Sequence, residues 1–88
     1  MTLADLPLAD LPLADLPLGA RATVRAVDGP PGLAQRLLEM GLTPGTEVEV
    51  LRFAPLGDPL EIRLWGYLLT LRKQDARCVQ VAQAGGRA

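Results

Sequence analysis

Few side chains in this chain of 88 residues could do chemistry, and their spacing limits what that chemistry could be. Glu47 and Glu49 alternate along one stretch, and Asp58 and Glu61 follow in another. Carboxylates so placed could share a proton or hold a hard cation. Beside them stand only the threonines, Tyr67 and the single Cys78. The sequence contains no histidine, and it lacks serine and asparagine as well. A Ser or Cys nucleophile normally needs an adjacent base, most often histidine, and a zinc centre needs a cluster of Cys and His that one cysteine cannot supply. No glycine-rich phosphate loop frames the remaining acids. The expectation is a chain that is not an enzyme, with no cofactor and no resident metal, whose work is to bind another macromolecule.

Such a surface has to be carried by a small scaffold. The length suits one domain with little core to spare. Apolar residues make up 49% of the chain, yet their runs are only a few residues long and fall far short of the roughly 20 that cross a bilayer. No direct membrane insertion is expected. The N-terminus has no basic residue ahead of its leucines and carries acid within them, unlike a secretory signal. With one unpaired cysteine, this points to the cytoplasm. The net charge is −1, but Asp5, Asp10 and Asp15 sit at the N-terminus without basic partners. From Leu18 onward seven acids meet nine bases, a formal charge of +2. Only three aromatic residues, Phe53, Trp65 and Tyr67, accompany that weak charge, so no nucleic-acid partner is expected.

The chain opens on a tandem repeat, Leu-Ala-Asp-Leu-Pro, at 3–7, 8–12 and 13–17. Its period is too short for a solenoid, and its regularly spaced prolines break any continuous helix. Residues 1–12 are expected to be an extension, disordered or weakly docked, ahead of a domain at 13–82; residues 83–88 read as a flexible tail. Residues 20–82 hold every strand read from the sequence and are expected to fold by themselves.

Residues 20–27 alternate small or β-branched side chains with arginines, as a half-buried strand does. Gly29, Pro30, Pro31 and Gly32 break it. A helix follows, with Leu33, Leu37 and Met40 on one face and Gln35, Arg36 and Glu39 toward water. Gly41 ends the helix, and Leu42 can fold back on Leu37. Thr43-Pro44-Gly45-Thr46 has the type II turn arrangement. Glu47 to Phe53 alternates and then changes phase, which predicts a bulge near Leu51. After a proline-stiffened loop at 54–59, Leu60, Ile62 and Leu64 alternate into a hairpin at Gly66, which returns through Leu69 and Leu71. Lys73–Ala76 reads as a turn, and Val79 and Val81 mark a last strand, with Cys78 facing away from the core. Short strands with tight connections favour a mainly β fold, a small barrel of about five strands with one helix inserted after the first.

Several of these segments, in this order, resemble the FeoA family: Leu13-Ala14-Asp15-Leu16-Pro17-Leu18-Gly19, the run from Arg36 to Thr46, Pro55 to Leu60, Gly66 to Lys73, and Ala76 with Val79 and Val81. The resemblance covers about residues 13–82. It implies an SH3-like barrel without catalysis, acting in bacterial ferrous iron uptake beside FeoB, a membrane iron transporter with a cytosolic GTPase region. The tripled Leu-Ala-Asp-Leu-Pro departs from the family pattern, where one copy is usual.

Three residues are singled out as partner-binding. Leu56 is the one large apolar residue of the 54–59 loop and is either an anchor for a partner or a plug over the barrel end. Arg36 and Glu39 are the charged residues of the exposed helix face. Trp65 and Tyr67 flank the hairpin glycine and read as cover for the barrel edge. An alternative is a metal- or ligand-sensing module related to the C-terminal domain of metal-dependent repressors, working through Glu47, Glu49, Asp58 and Glu61. The lack of histidine argues against it, and no helix-turn-helix segment precedes the barrel in these residues.

Overall fold

A computed structural model describes residues 10–83. Leu11–Pro12 form a short strand (β1), and Leu13–Asp15 make one 3-10 turn. Then come β2 (Arg21–Val27), helix α1 (Pro31–Glu39), β3 (Glu47–Phe53), β4 (Leu60–Leu64), β5 (Tyr67–Leu71), the single helical turn α2 (Lys73–Ala76) and β6 (Val79–Gln83). The strands build one antiparallel sheet in the order β1-β6-β2-β3-β4-β5. The fold is mainly β with one substantial helix, inserted after β2.

Alternation decides which side chains point inward, and two bulges keep it working. In β3, Val48 and Val50 are buried; an unbroken strand would next turn Arg52 inward. The register shifts between Val50 and Arg52, so Arg52 faces Glu61 outside while Phe53 pairs with buried Leu60. The bulge expected near Leu51 is there. The sequence did not signal its counterpart in β2, where the register shifts between Val24 and Ala26. That shift leaves Arg25 in solvent and sets Val27 opposite Val79.

Six strands form where about five were expected, because Leu11 and Pro12 pair with Val81 and Gln80. Leu11 and Pro12 thus pair into the sheet, and Gln83 is the last residue of β6. Leu13, Ala14 and Leu16 are in the core with Val79, Val81 and Ala76. Residues 20–82 thus lack part of the core, and the expectation that they fold alone does not fit this packing. The repeat positions 1–9 and the end 84–88 lie outside the described residues. Two smaller differences concern the C-terminal third. Lys73–Ala76 is a helical turn that buries Ala76, and Cys78 is half-buried against the core instead of facing away from it.

Helix α1 starts on Pro31, where a missing amide costs nothing, and stops at Gly41. Gly41 adopts φ +108°. Its amide donates to Leu38 O at 3.0 Å and that of Leu42 donates to Leu37 O at 3.2 Å, the paired bonds of a Schellman stop. Leu37 and Leu42, the two leucines so joined, are both buried. The turn after it is type II as expected: Gly45 has φ +95°, and Thr46 N donates to Thr43 O at 3.0 Å. Thr46 is the buried polar residue among those described, and its hydroxyl donates to Gly41 O at 3.1 Å and meets Thr43 Oγ1 at 3.0 Å.

Thr46→Val keeps the shape and removes these bonds, so it is expected to lower unfolding free energy by about 1–2 kcal/mol. Urea denaturation measures this, and an unchanged midpoint would show that the hydroxyl contributes nothing.

Candidate protein interface

Large apolar side chains that remain in solvent mark where this surface departs from a plain polar shell. Among the described residues they are Leu18, Leu56, Trp65, Tyr67 and Leu68, and the last three belong to the β4–β5 hairpin. The hairpin turns in two residues. Trp65 at φ +51° and Gly66 at φ +81° are both left-handed, as the twist of the flanking strands requires. A tryptophan in that conformation costs about 1–2 kcal/mol, and its side chain shows what holds it there. Its Nε1 donates to Gly41 O at 3.2 Å, and the Tyr67 hydroxyl donates to Met40 O. The hairpin thus supplies donors to the carbonyls that α1 leaves bare at its C-terminus.

Sequence reasoning read Trp65 and Tyr67 as edge cover. The structure shows them anchored on the helix end by their polar atoms, with Trp65 still 69% exposed and Leu68 55%. The missing signal was the left-handed turn, which aims the indole across the sheet at Gly41. Arg36 and Glu39 sit one turn earlier on α1, both exposed, and Glu39 accepts from Gln35 Nε2 at 3.2 Å. The hairpin tip thus bonds to the end of the helix whose last turn carries Arg36 and Glu39.

Leu56 lies elsewhere. Gly57 N donates to Ala54 O at 2.7 Å and Ala54 N to Pro59 O at 2.8 Å, which closes the loop on itself. Asp58 Oδ1 accepts from Lys73 N at 2.9 Å and ties the loop to the start of α2. Leu56 projects from this braced turn and is 96% exposed, so it is not a plug. The loop enters β4 at Leu60, whereas the Trp65–Gly66 turn follows Leu64. Four residues at about 3.3 Å each separate the two ends, about 13 Å along the strand. None of the described hydrogen bonds or ion pairs brings Leu56 to Arg36 or Glu39. A standard interface covers about 800 Å² per partner and can span both features.

Three of the four acids proposed for a cation are already engaged. Glu49 pairs with Arg63 at 3.6 Å, Glu61 with Arg52 at 2.8 Å, and Asp58 with the Lys73 amide. Among the described residues no three of His, Cys, Asp and Glu come together as a metal-holding group. A cleft of about 150 Å³ opens beside Trp65, with Arg21, Glu47, Glu49 and Arg63 on its walls. Its mixed charge favours neither anion nor cation.

Comparison with known proteins decides the family. The FeoA domain matches residues 11–83. This chain belongs to the FeoA family. It is 36% identical over 63 residues to a Fe(2+) transport protein A/Fe(2+) transporter FeoB fusion protein of Porphyromonas gingivalis. That match takes in 72% of this chain but only 8% of the relative. Among solved structures, FeoA from Chlorobium tepidum is 41% identical with a TM-score of 0.81, over 89% of this chain and 74% of that one. FeoA from Stenotrophomonas maltophilia, solved with zinc and described as an SH3 domain protein, is 32% identical with a TM-score of 0.71, over 81% and 92%. The sheet is thus of the SH3-like kind. A manganese-dependent transcriptional repressor shares the fold alone, at 16% identity and a TM-score of 0.79 over 90% of this chain and 38% of that one. The FeoA match begins at Leu11, the residue that opens β1.

The contact between hairpin and helix end generates a direct expectation. A Cβ on Gly41 would stand 2.8 Å from the Tyr67 hydroxyl and 3.2 Å from Trp65 Cδ1, in a conformation that side chains rarely adopt. Gly41→Ala is therefore expected to destabilise the fold by more than about 2 kcal/mol, at the upper end of backbone strain. Thermal unfolding checks this, and a loss below about 0.5 kcal/mol would mean that the hairpin yields freely.

Proposed function

We propose that this protein is a non-enzymatic, cytoplasmic accessory of bacterial ferrous iron uptake that binds the cytosolic region of FeoB and modulates it. The observation that carries the reading is the Porphyromonas gingivalis relative, named as a fusion of Fe(2+) transport protein A with the transporter FeoB. Fusion into one polypeptide is the limiting case of association, because it replaces a bimolecular encounter by a high effective concentration. Family membership supports the iron-transport setting. No described helix is long and apolar enough to cross a membrane, which fits a partner that works beside the transporter.

The surface proposed for FeoB combines Leu56 with the α1 face at Arg36 and Glu39 and the adjoining Trp65. Interfaces draw most of their energy from a few large side chains on rigid supports, and both ends of this surface are braced. Leu56 stands on a loop closed by its own backbone bonds, and Trp65 on a hairpin tied to the helix. The metal-sensing reading gains nothing comparable. Its repressor likeness is one of fold, and three of its four acids are bonded within the chain.

Leu56→Asp separates binding from folding because the side chain touches little. It is expected to leave the melting temperature within about 4 °C of wild type. Association with the cytosolic region of FeoB is expected to weaken by about 2 kcal/mol, near thirtyfold, in calorimetry. Undiminished binding would remove the loop from the surface and leave the α1–hairpin end to carry it.

A further inference from the structure

The N-terminal repeat is more than similar from copy to copy. Residues 3–13 and residues 8–18 have the same sequence, Leu-Ala-Asp-Leu-Pro-Leu-Ala-Asp-Leu-Pro-Leu. The structure uses the second of these stretches in detail. Asp10 lies 3.7 Å from Arg25, and Leu11 and Pro12 pair with Val81 and Gln80. Leu13 and Leu16 are fully buried beneath β6 and α2, and Ala14 is nearly so. Sliding the chain by five residues would put an identical side chain at every one of these places. Asp5 would meet Arg25, Leu6 and Pro7 would pair with β6, and Leu8, Ala9 and Leu11 would fill the core positions of Leu13, Ala14 and Leu16.

The junction that would have to absorb the slide is suited to it. Pro17, Leu18 and Gly19 are all exposed, Leu18 by 62%. The Gly19 amide is held on Val50 O at 2.8 Å, and nothing lies within 4 Å of where its Cβ would be. Residues 14–18 could loop out there with Gly19 kept in place. The Ala20 N bond, now to Pro17 O at 3.0 Å, would pass to Pro12 O, and the loss would be the entropy of a longer loop, which grows only slowly with length. Strand register is otherwise fixed by the pattern of buried and exposed residues, and here that pattern repeats itself.

We infer that the socket between β6 and α2 is a binding site for a Leu-Ala-Asp-Leu-Pro segment, served by more than one register of this chain: Leu13–Pro17 in the structure, and Leu8–Pro12 with residues 14–18 looped out. The spare copies are alternative occupants of one site. The inference stands independently of FeoB binding.

Thermal unfolding of four full-length chains tests it. Leu3→Asp with Leu8→Asp disables the spare copies and is expected to melt like wild type. Leu13→Asp disables the seated copy, and the second register then supplies Leu8 to the socket and moves residue 13 to the exposed place of Leu18. The melting temperature is expected to fall by less than about 10 °C, the scale of a lengthened loop. The triple variant, with Leu3, Leu8 and Leu13 all replaced by Asp, must bury an unpaired carboxylate in any register and is expected to lose its cooperative transition. Coincident melting of Leu13→Asp and the triple variant would overturn the inference. So would a Leu3→Asp/Leu8→Asp chain that melts as low as Leu13→Asp, because those residues would then not be spares.

Discussion

Helix α1 ends inside a crowd of donors, and the rest of the molecule depends on how that end is closed. The Schellman stop at Gly41 turns the chain so that Leu37 and Leu42 both enter the core, and it leaves the carbonyls of Met40 and Gly41 pointing outward. Three side chains from outside the helix reach them: Thr46 after the type II turn, and Trp65 and Tyr67 from the hairpin between β4 and β5. Unpaired carbonyls at a helix terminus are costly away from water, and here the same bonds fix the helix across the sheet. Only glycine fits the node, since its φ of +108° and the nearness of Tyr67, Trp65 and Leu64 leave no place for a side chain.

Closure of the helix end also shapes the outer surface. A tryptophan held in a left-handed turn spends its polar atom on Gly41 and keeps most of its ring in solvent. The same economy appears at Leu56, whose backbone neighbours bond to one another while the side chain stands free. Both are apolar groups on stiff supports, so little conformational freedom would be lost when a partner covers them. At the opposite edge of the sheet the apolar groups behave otherwise. Leu13 and Leu16 turn inward and complete the core beneath β6.

Much of this was legible in the residues. Periodicity placed the helix, Gly41-Leu42 placed its stop, Pro44-Gly45 gave the turn type, and the change of phase at Leu51 marked the bulge that keeps Arg52 outside. Each is a local signal acting on its own neighbours. What escaped was non-local. Nothing near Leu11 and Pro12 announces that β6 will pair with them, since proline is a poor strand former and the partner lies far along the chain. The β2 bulge was hidden because Arg25 and Ala26 do not break alternation visibly. Cys78 was misplaced by extending the β6 pattern one residue too far, when its side chain packs beside Gly29. For the candidate surface, the exposure of Arg36 and Glu39 followed from the helical wheel, while Leu56 was left between anchor and plug until the closed loop showed it in solvent. The tie from Trp65 to Gly41 spans two elements and could not be read from either.

The 54–59 loop, the hairpin tip and the end of α1 are the surface proposed here for FeoB. Amide chemical-shift mapping of the labelled protein during titration with the cytosolic region of FeoB tests it most directly. Perturbations are expected to gather at Leu56, Arg36, Glu39 and Trp65, including the indole N–H, with β1 and β6 unmoved. Saturable shifts confined to β1 and β6, or no shifts at all with FeoB in excess, would contradict it.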